Sequence, residues 1–271
     1  MVKGRKHQRD WLQQILRRHE NGAHPATLHY RVNNFDSNDI LYGKALVVAP
    51  MVDQSDLPFR LLARKYGSNL CVTPMIHARM FVCNERGYKE RFWNVMKGTP
   101  AEDRPLIVQF AGGDPEMLAQ AAKLVGNQCD AVDINCGCPQ MIAKRGNYGA
   151  FLLENEELLV RCVEETVKAC SIPVCVKVRL LPSGLEDSLR LYTRLVDAGA
   201  AMLTIHGRNR FNKGPLTGRA NWEAIRSVVD ALGDRVPILA NGSVADLNDC
   251  RACLRATGAD GKYLNLLFKN R

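Results

Sequence analysis

Cys138 stands between Gly137 and Pro139, just past an apolar run, and is followed by the basic, glycine-rich stretch Lys144-Arg145-Gly146-Asn147-Tyr148-Gly149. A free thiol titrates at about 8.5, so at neutral pH it is mostly protonated and can act as a general acid. With a base or cation beside it, the same thiol would be a nucleophile. Cys136, two residues earlier, is the competing thiol and is better placed as a packing residue. Other polar or special residues close or follow similar apolar runs: Pro50-Met51, Thr73-Pro74-Met75, Gln109, Asn135, Lys177, His206 and Asn241-Gly242. Singly, each reads as a helix cap, a solvated group or a histidine satisfied by the fold. Together they mark one end of a set of strands.

The elements that must position them follow a repeating pattern. Short apolar, β-branched runs occupy 45–49, 69–73, 106–110, 131–135, 174–178, 202–206 and 237–241. Between them lie amphipathic stretches with helix-start signals. Asp114-Pro115, Asn155, Asn221 and Asp246 stand where an N-cap belongs, and another helix is expected over 186–198. Alternating strands and helices predict a parallel sheet with helices on both faces. Seven such units favour a (β/α)₈ TIM barrel over an open doubly wound sheet, and no GxGxxG follows the first strand. In such a barrel the catalytic groups sit at the C-terminal strand ends, where these residues fall. A lysine, a histidine and the Asn241-Gly242-Ser243 loop suit a ligand with an anionic ring and a phosphate, received on backbone N–H groups. Flavin mononucleotide (FMN) fits that description, as do other phosphorylated ligands.

Composition narrows the class. The 271 residues carry 37 Lys and Arg against 28 Asp and Glu, a net charge of +9, and 46% are hydrophobic. That balance suits a folded globular chain and a polyanionic partner, and no apolar run is long enough for a bilayer crossing. Ten cysteines in a chain of this length, with no secretory signal read at its start, predict free thiols in a reducing, cytoplasmic setting. Cys250 and Cys253 are expected as core packing on the helix capped by Asp246, and no metal site is expected. Residues 1–40 read as a basic extension containing one amphipathic helix around Trp11-Leu12 and Ile15-Leu16, with 41–271 forming the barrel. Asp10 and Glu20 count against a mitochondrial presequence.

The motifs Ala49-Pro-Met-Val-Asp-Gln-Ser, Arg104-Pro-Leu-Ile-Val-Gln-Phe, Asp133-Ile-Asn-Cys-Gly-Cys-Pro, Lys144-Arg-Gly-Asn-Tyr-Gly-Ala, Val176-Lys-Val-Arg, Thr204-Ile-His-Gly-Arg and Ala240-Asn-Gly-Ser come in one order along 45–261. In that order they resemble the tRNA-dihydrouridine synthase family, most closely its eukaryotic branch named for uridines 16 and 17 of the tRNA D-loop. The resemblance implies an FMN enzyme that reduces the C5=C6 bond of tRNA uridines with NADPH or NADH. It implies Cys138 as proton donor to uracil C5 after hydride reaches C6, and Asn135 as a contact to the uracil. Pro50, Met51 and Val52 would border the flavin, Gln109 its pyrimidine edge, and Lys177 its N1/O2 region. His206 and Asn241-Gly242-Ser243 would complete the flavin and phosphate contacts. Lys144, Arg145 and Arg208, with Arg210, Lys213 and Arg219, are candidates for tRNA phosphates. A monomer is expected, with tRNA as partner and no membrane.

The eighth unit departs from the family. After Ala259-Asp260-Gly261 the chain runs Lys262-Tyr-Leu-Asn-Leu-Leu-Phe-Lys-Asn-Arg271, where relatives continue into a second phosphate segment and a C-terminal helical domain that grips tRNA. The run 262–268 can form an eighth strand, but no eighth helix is read to cover it, so the barrel is expected to be incomplete at its eighth β/α unit, with half the phosphate seat missing and apolar faces exposed at the gap. Two alternatives to a working synthase follow: a catalytically silent barrel that at most binds tRNA, and a flavin barrel acting on a free pyrimidine.

Overall fold

The computed structural model describes residues 7–20, 37–91, 101–212 and 214–264. Lys213, most of the segment before β1, and the run beyond Leu264 lie outside the described residues. Eight parallel strands close on themselves: β1 Ala45–Val48, β2 Leu70–Val72, β4 Leu106–Ala111, β5 Ala131–Cys136, β6 Val174–Arg179, β7 Met202–His206, β8 Ile238–Asn241 and β9 Gly261–Leu264. The two-residue β3, Ile76–His77, pairs alongside the end of β4. All seven strands expected from the apolar runs are present, and nearly every residue in them is buried on both faces, as a helix-covered parallel sheet requires.

Closure comes from the eighth strand, which the sequence allowed without fixing: β9 pairs with β1 from Ala45↔Gly261 to Val48↔Leu264, and with β8 at Leu239↔Gly261 and Ala240↔Lys262. Glycine is required at its start. A Cβ at Gly261 would lie 2.4 Å from the Ala45 carbonyl oxygen and 2.9 Å from Leu239. Among the described residues no helix follows β9. The outward faces expected to be bare at this gap are nevertheless covered: Leu46, Val48 and Leu264 are all buried, in one cluster with Leu41 from the turn before β1. Asp39 in that turn pairs with Arg251 at 2.8 Å, and Lys44 donates to the Ala259 carbonyl, so the turn is fastened beside the last helix.

The helices begin where the caps stand. Asp114 accepts from the N–H groups of Glu116 and Met117 to open Pro115–Val125. Asn155 opens Glu156–Ala169, Asn221 opens Trp222–Leu232 and Asp246 opens Leu247–Thr257. Cys250 and Cys253 are buried free thiols on the inner side of that last helix. Three short helices had no periodic signal long enough to read: Leu57–Lys65, Ala78–Val82 and Met141–Arg145. The first is anchored by charge, Arg60 and Arg64 both reaching the buried Asp103.

Two apolar layers hold the barrel. Outward strand residues such as Val132, Ile134, Val176 and Ile205 pack under the helices. Inward residues, among them Val47, Val72, Ile107, Cys175, Met202 and Leu239, form a second cluster that includes Trp11, Leu12, Ile15 and Leu16. These four lie on one face of α1, His7–Glu20, at the spacing of an amphipathic helix. The Trp11 indole donates to the carbonyl of Ala201, the residue before β7. The helix inside the N-terminal extension is therefore part of the barrel and stoppers its N-terminal end.

If α1 is a stopper, Trp11→Ala should lower unfolding stability by about 3 kcal/mol in urea titrations, whereas Trp11→Phe should cost only about 1 kcal/mol, since it keeps the ring and loses the hydrogen bond. Equal stability of the alanine variant and the parent would show that the helix contributes nothing to the barrel.

Candidate active site

The period of two along each strand turns Gln109, Asp133, Asn135, Lys177, Arg179, Thr204, His206 and Asn241 inward near the C-terminal ends. Below them the interior is apolar down to the α1 stopper, so this mouth carries the polar groups of the barrel interior.

One hydrogen-bonded chain leads across it to the thiol. The Gln109 amide donates to Asp133 Oδ2 at 2.6 Å, and Asn135 Nδ2 donates to Gln109 Oε1 at 2.7 Å. Asn135 Oδ1 then accepts from the backbone N–H groups of Gly137 and Cys138, both at 3.0 Å. Gln109 is fully buried with both amide atoms engaged. Asn135 likewise spends its carbonyl on the loop, which fixes where Cys138 sits. Arg179 Nε donates to the Gly137 carbonyl at 2.6 Å from the opposite side. Cys138 itself is half-buried, packed near Tyr148 and Met75, within electrostatic range of Lys177 and Arg179.

Cations outnumber anions at the mouth. Burial, and after it the charges of Lys177, Arg179, Arg208 and Lys262, hold the His206 imidazole far below the usual histidine range. His206 is therefore neutral, and its buried Nδ1 has no partner. Burial, followed by Arg179, lowers the Lys177 ammonium to about 8. Burial also raises the Asp133 carboxyl to about 7, against the pull of Gln109 and Lys177, and its Oδ1 is unpartnered. A cluster of this sign is held at the cost of mutual repulsion, and an anion bound among them would relieve it.

The loop after β8 forms the edge of the same mouth. Gly242 (φ 104°) and Ser243 (φ 54°) both lie in the left-handed region. A Cβ at Gly242 would come 2.8 Å from Ala220 Cβ, so the loop is pressed against the start of the neighbouring helix. Ser243 Oγ accepts from Ala220 N at 2.7 Å and from Arg208 at 3.0 Å. Lys262, wholly buried on the outward face of β9, donates to the Gly242 carbonyl at 2.8 Å. That bond turns the carbonyl away and leaves the loop beside an open cleft of about 1020 Å³ lined by Ser243, Val244, Ala245, Asn221 and Trp222.

The structure thus brings Gln109, Asn135, Cys138, Lys177, His206, Asn241, Gly242 and Ser243 to one mouth. Met51 is half-buried and packs on the inner cluster, Pro50 is half-buried beside it, and Val52 is exposed on the same turn. Lys144 and Arg145 are exposed on the Met141–Arg145 helix just after Cys138. Arg208 is tied to Gly218 O and Ser243, which makes it a brace of the β8 loop. Asp133, Arg179 and Lys262 are site residues that inspection of strand ends passed over. The first two lie one alternation from Asn135 and Lys177, a signal the sequence carries. Among the described residues no group of three or more His, Cys, Asp and Glu side chains could hold a metal ion.

Residues 47–263 match the family model described as dihydrouridine synthase (Dus). The chain belongs to the dihydrouridine synthase family. It is 48% identical over 221 residues to the tRNA-dihydrouridine(16/17) synthase [NAD(P)(+)]-like protein of Mus musculus, covering 82% of this chain and 45% of that one. The tRNA-dihydrouridine(16/17) synthase [NAD(P)(+)] of Saccharomyces cerevisiae is 46% identical over 214 residues, 79% of this chain and 50% of its own length. The chain therefore spans about half the length of these curated relatives. Among solved structures, 2,3-dimethylmalate lyase superposes with a TM-score of 0.55 at 16% identity, over 88% of this chain and 79% of that one, a likeness of fold alone.

Lys262→Met tests the loop's support in this Dus barrel. Removing a buried charge of similar volume should leave thermal stability unchanged or raised. Loss of a charged hydrogen bond should weaken inorganic phosphate binding about tenfold in calorimetric titration. Unaltered phosphate affinity would remove Lys262 from the loop's function.

Proposed function

We propose that this chain is the cofactor-bearing barrel of an FMN-dependent tRNA-dihydrouridine synthase, which reduces the C5=C6 bond of D-loop uridines with NADPH or NADH. The observation that carries the reading is the hydrogen-bonded chain Asp133–Gln109–Asn135 that fixes the Cys138 loop at a mouth shared with Lys177, Arg179 and His206. The residues present fit an anionic, phosphorylated ring: an unpartnered buried His206 Nδ1, a lysine beside it, and a left-handed glycine loop next to an open cleft. The printed names of the relatives, which specify tRNA and NAD(P), support substrate and reductant.

FMN, when bound, would supply the hydride for uracil C6. The remaining steps belong to the chain's own groups. Lys177 would set positive charge beside the reduced ring, and the Gly242-Ser243 backbone, braced by Arg208 and Lys262, would receive the phosphate. Pro50, Met51 and Val52 would border the ring from the turn after β1. Cys138 holds its proton on Sγ and delivers it to C5, so that C6 gains hydride, C5 gains a proton and the double bond becomes single. Asn135 keeps that sulfur in place and has one amide hydrogen left to offer the uracil. Gln109 supports Asn135 from below. A uridine stacked in tRNA is out of reach, so the base must be turned out at a cost of a few kcal/mol, and loop uridines cost least. Lys144 and Arg145 are placed to hold the flanking phosphates.

Two measurements test this reading. Incubated with FMN, NADPH and unmodified tRNA, Cys138→Ala should lose dihydrouridine formation by a factor of about 100 or more by mass spectrometry of tRNA digests, while keeping the flavin spectrum and tRNA affinity. A parent chain that forms no dihydrouridine would instead favour a silent barrel. The second is the pH dependence of FMN affinity, read by flavin fluorescence. Lys177, lowered to about 8, loses its charge as pH rises through that value, and Asp133, raised to about 7, becomes negative above it. Both changes oppose an anion, so affinity should fall as pH rises through the two values, about 7 and about 8, and Lys177→Met should flatten the fall. A flat profile in the parent would exclude Lys177 as a contact.

A further inference from the structure

A second feature lies on the rim beside Cys138. Phe211 is 55% exposed on the turn that follows β7. The turn is fixed from within: Asn209 Oδ1 accepts from Phe211 N at 2.9 Å, Asn209 N donates to Asn212 Oδ1 at 3.0 Å, and Arg179 reaches the Asn209 carbonyl. The Arg210 guanidinium lies 4.7 Å from the Phe211 ring centroid and 5.4 Å from that of Phe151, and Glu154 pairs with it. The open ring is thus backed by a cation that is itself held. Beside it a recess of about 210 Å³ is lined by Met141, Lys144, Phe151, Glu154, Arg210 and Phe211. Phe151 packs against the same small cluster, Ala111, Ala143 and Tyr148, that Cys138 packs against, so recess and thiol share one wall.

We propose that Phe211 is a stacking platform for an unpaired nucleobase of the RNA next to the uridine that enters the mouth. The proposal rests on the reading of tRNA as substrate and adds a subsite to it. An exposed, rigidly mounted aromatic ring flanked by cations is the arrangement by which single-stranded nucleic acid is held, bases on rings and phosphates on charges. Lys144 and Arg145, both exposed on the helix that walls the recess, supply those charges. Arg210 does not compete for phosphate, because Glu154 neutralises it. Its work is to present the ring. Turning a uridine out also unstacks its neighbour, and a ring at the rim gives that neighbour a new stacking partner.

Fluorescence anisotropy with a labelled single-stranded oligouridine, and with the same strand carrying one abasic position, tests this on the full chain. Phe211→Ala should weaken binding of the intact strand about tenfold, Phe211→Leu nearly as much, and Phe211→Trp should restore it to within about twofold. The salt slope should be unchanged in all three, whereas Lys144→Gln should reduce it by about one. The abasic strand should bind parent and Phe211→Ala alike. Because Phe211 is exposed, these variants are expected to keep the parent's thermal unfolding. Intact-strand affinity unaltered in Phe211→Ala, or leucine as good as phenylalanine, would overturn the platform while leaving the tRNA reading intact. A parent chain that binds neither strand at low salt would overturn both.

Discussion

The whole arrangement depends on a four-residue strand. β9 must sit between β8 and β1 for the sheet to close, and backbone approach there is tight enough that only a glycine can open it. Without β9, the edges of β1 and β8 would present unpaired N–H and C=O groups, which a buried parallel sheet cannot tolerate. Closure also sorts the two residues after Gly261. Tyr263 goes inward, where Lys177 lies 5.9 Å from its ring, and Lys262 goes outward, where it has no water and finds the Gly242 carbonyl. A pairing constraint thus becomes a constraint on the candidate cofactor loop.

The two ends of the barrel are built on opposite principles. At the N-terminal end, α1 and the inward apolar residues exclude water, and the Trp11 indole ties the stopper to the sheet through the Ala201 carbonyl. At the other end, cations are packed closer than their mutual repulsion favours, with one carboxylate among them. A dry, low-dielectric floor strengthens every charge above it. This is why His206 is neutral and why Lys177 and Asp133 titrate close to neutrality, where a change of ligand changes their protonation.

Much of this was legible in the sequence, for a physical reason: strands buried on both faces are written as continuous apolar runs, and side-chain caps mark helix starts. The Asp114, Asn155, Asn221 and Asp246 caps all stand where their residue types put them. The eighth strand was harder to read because Lys262 interrupts its apolar character, and its pairing comes from closure geometry, which no local pattern encodes. The α1 stopper was read as an amphipathic helix, but its docking partner is a ring of inward residues spread over the whole chain.

The site was legible as a set of positions and less so as a set of roles. Gln109, Asn135 and Arg208 are polar groups at strand ends, and each looks from the sequence like a ligand contact. In the folded chain their polar atoms are largely spent on one another and on loops: Gln109 on Asp133 and Asn135, Asn135 on the Cys138 loop, Arg208 on Gly218 and Ser243. A buried polar group must be satisfied whether or not a ligand is bound, so those deepest in the mouth become scaffolding. Among the described residues His206 Nδ1, Asp133 Oδ1, Thr204 Oγ1 and Tyr263 Oη are inward-facing groups left without a partner. The position of the Cys138 thiol is therefore set indirectly: Cys138 is placed by an asparagine that is placed by a glutamine, and an error at Gln109 reaches the Cys138 loop through two hydrogen bonds.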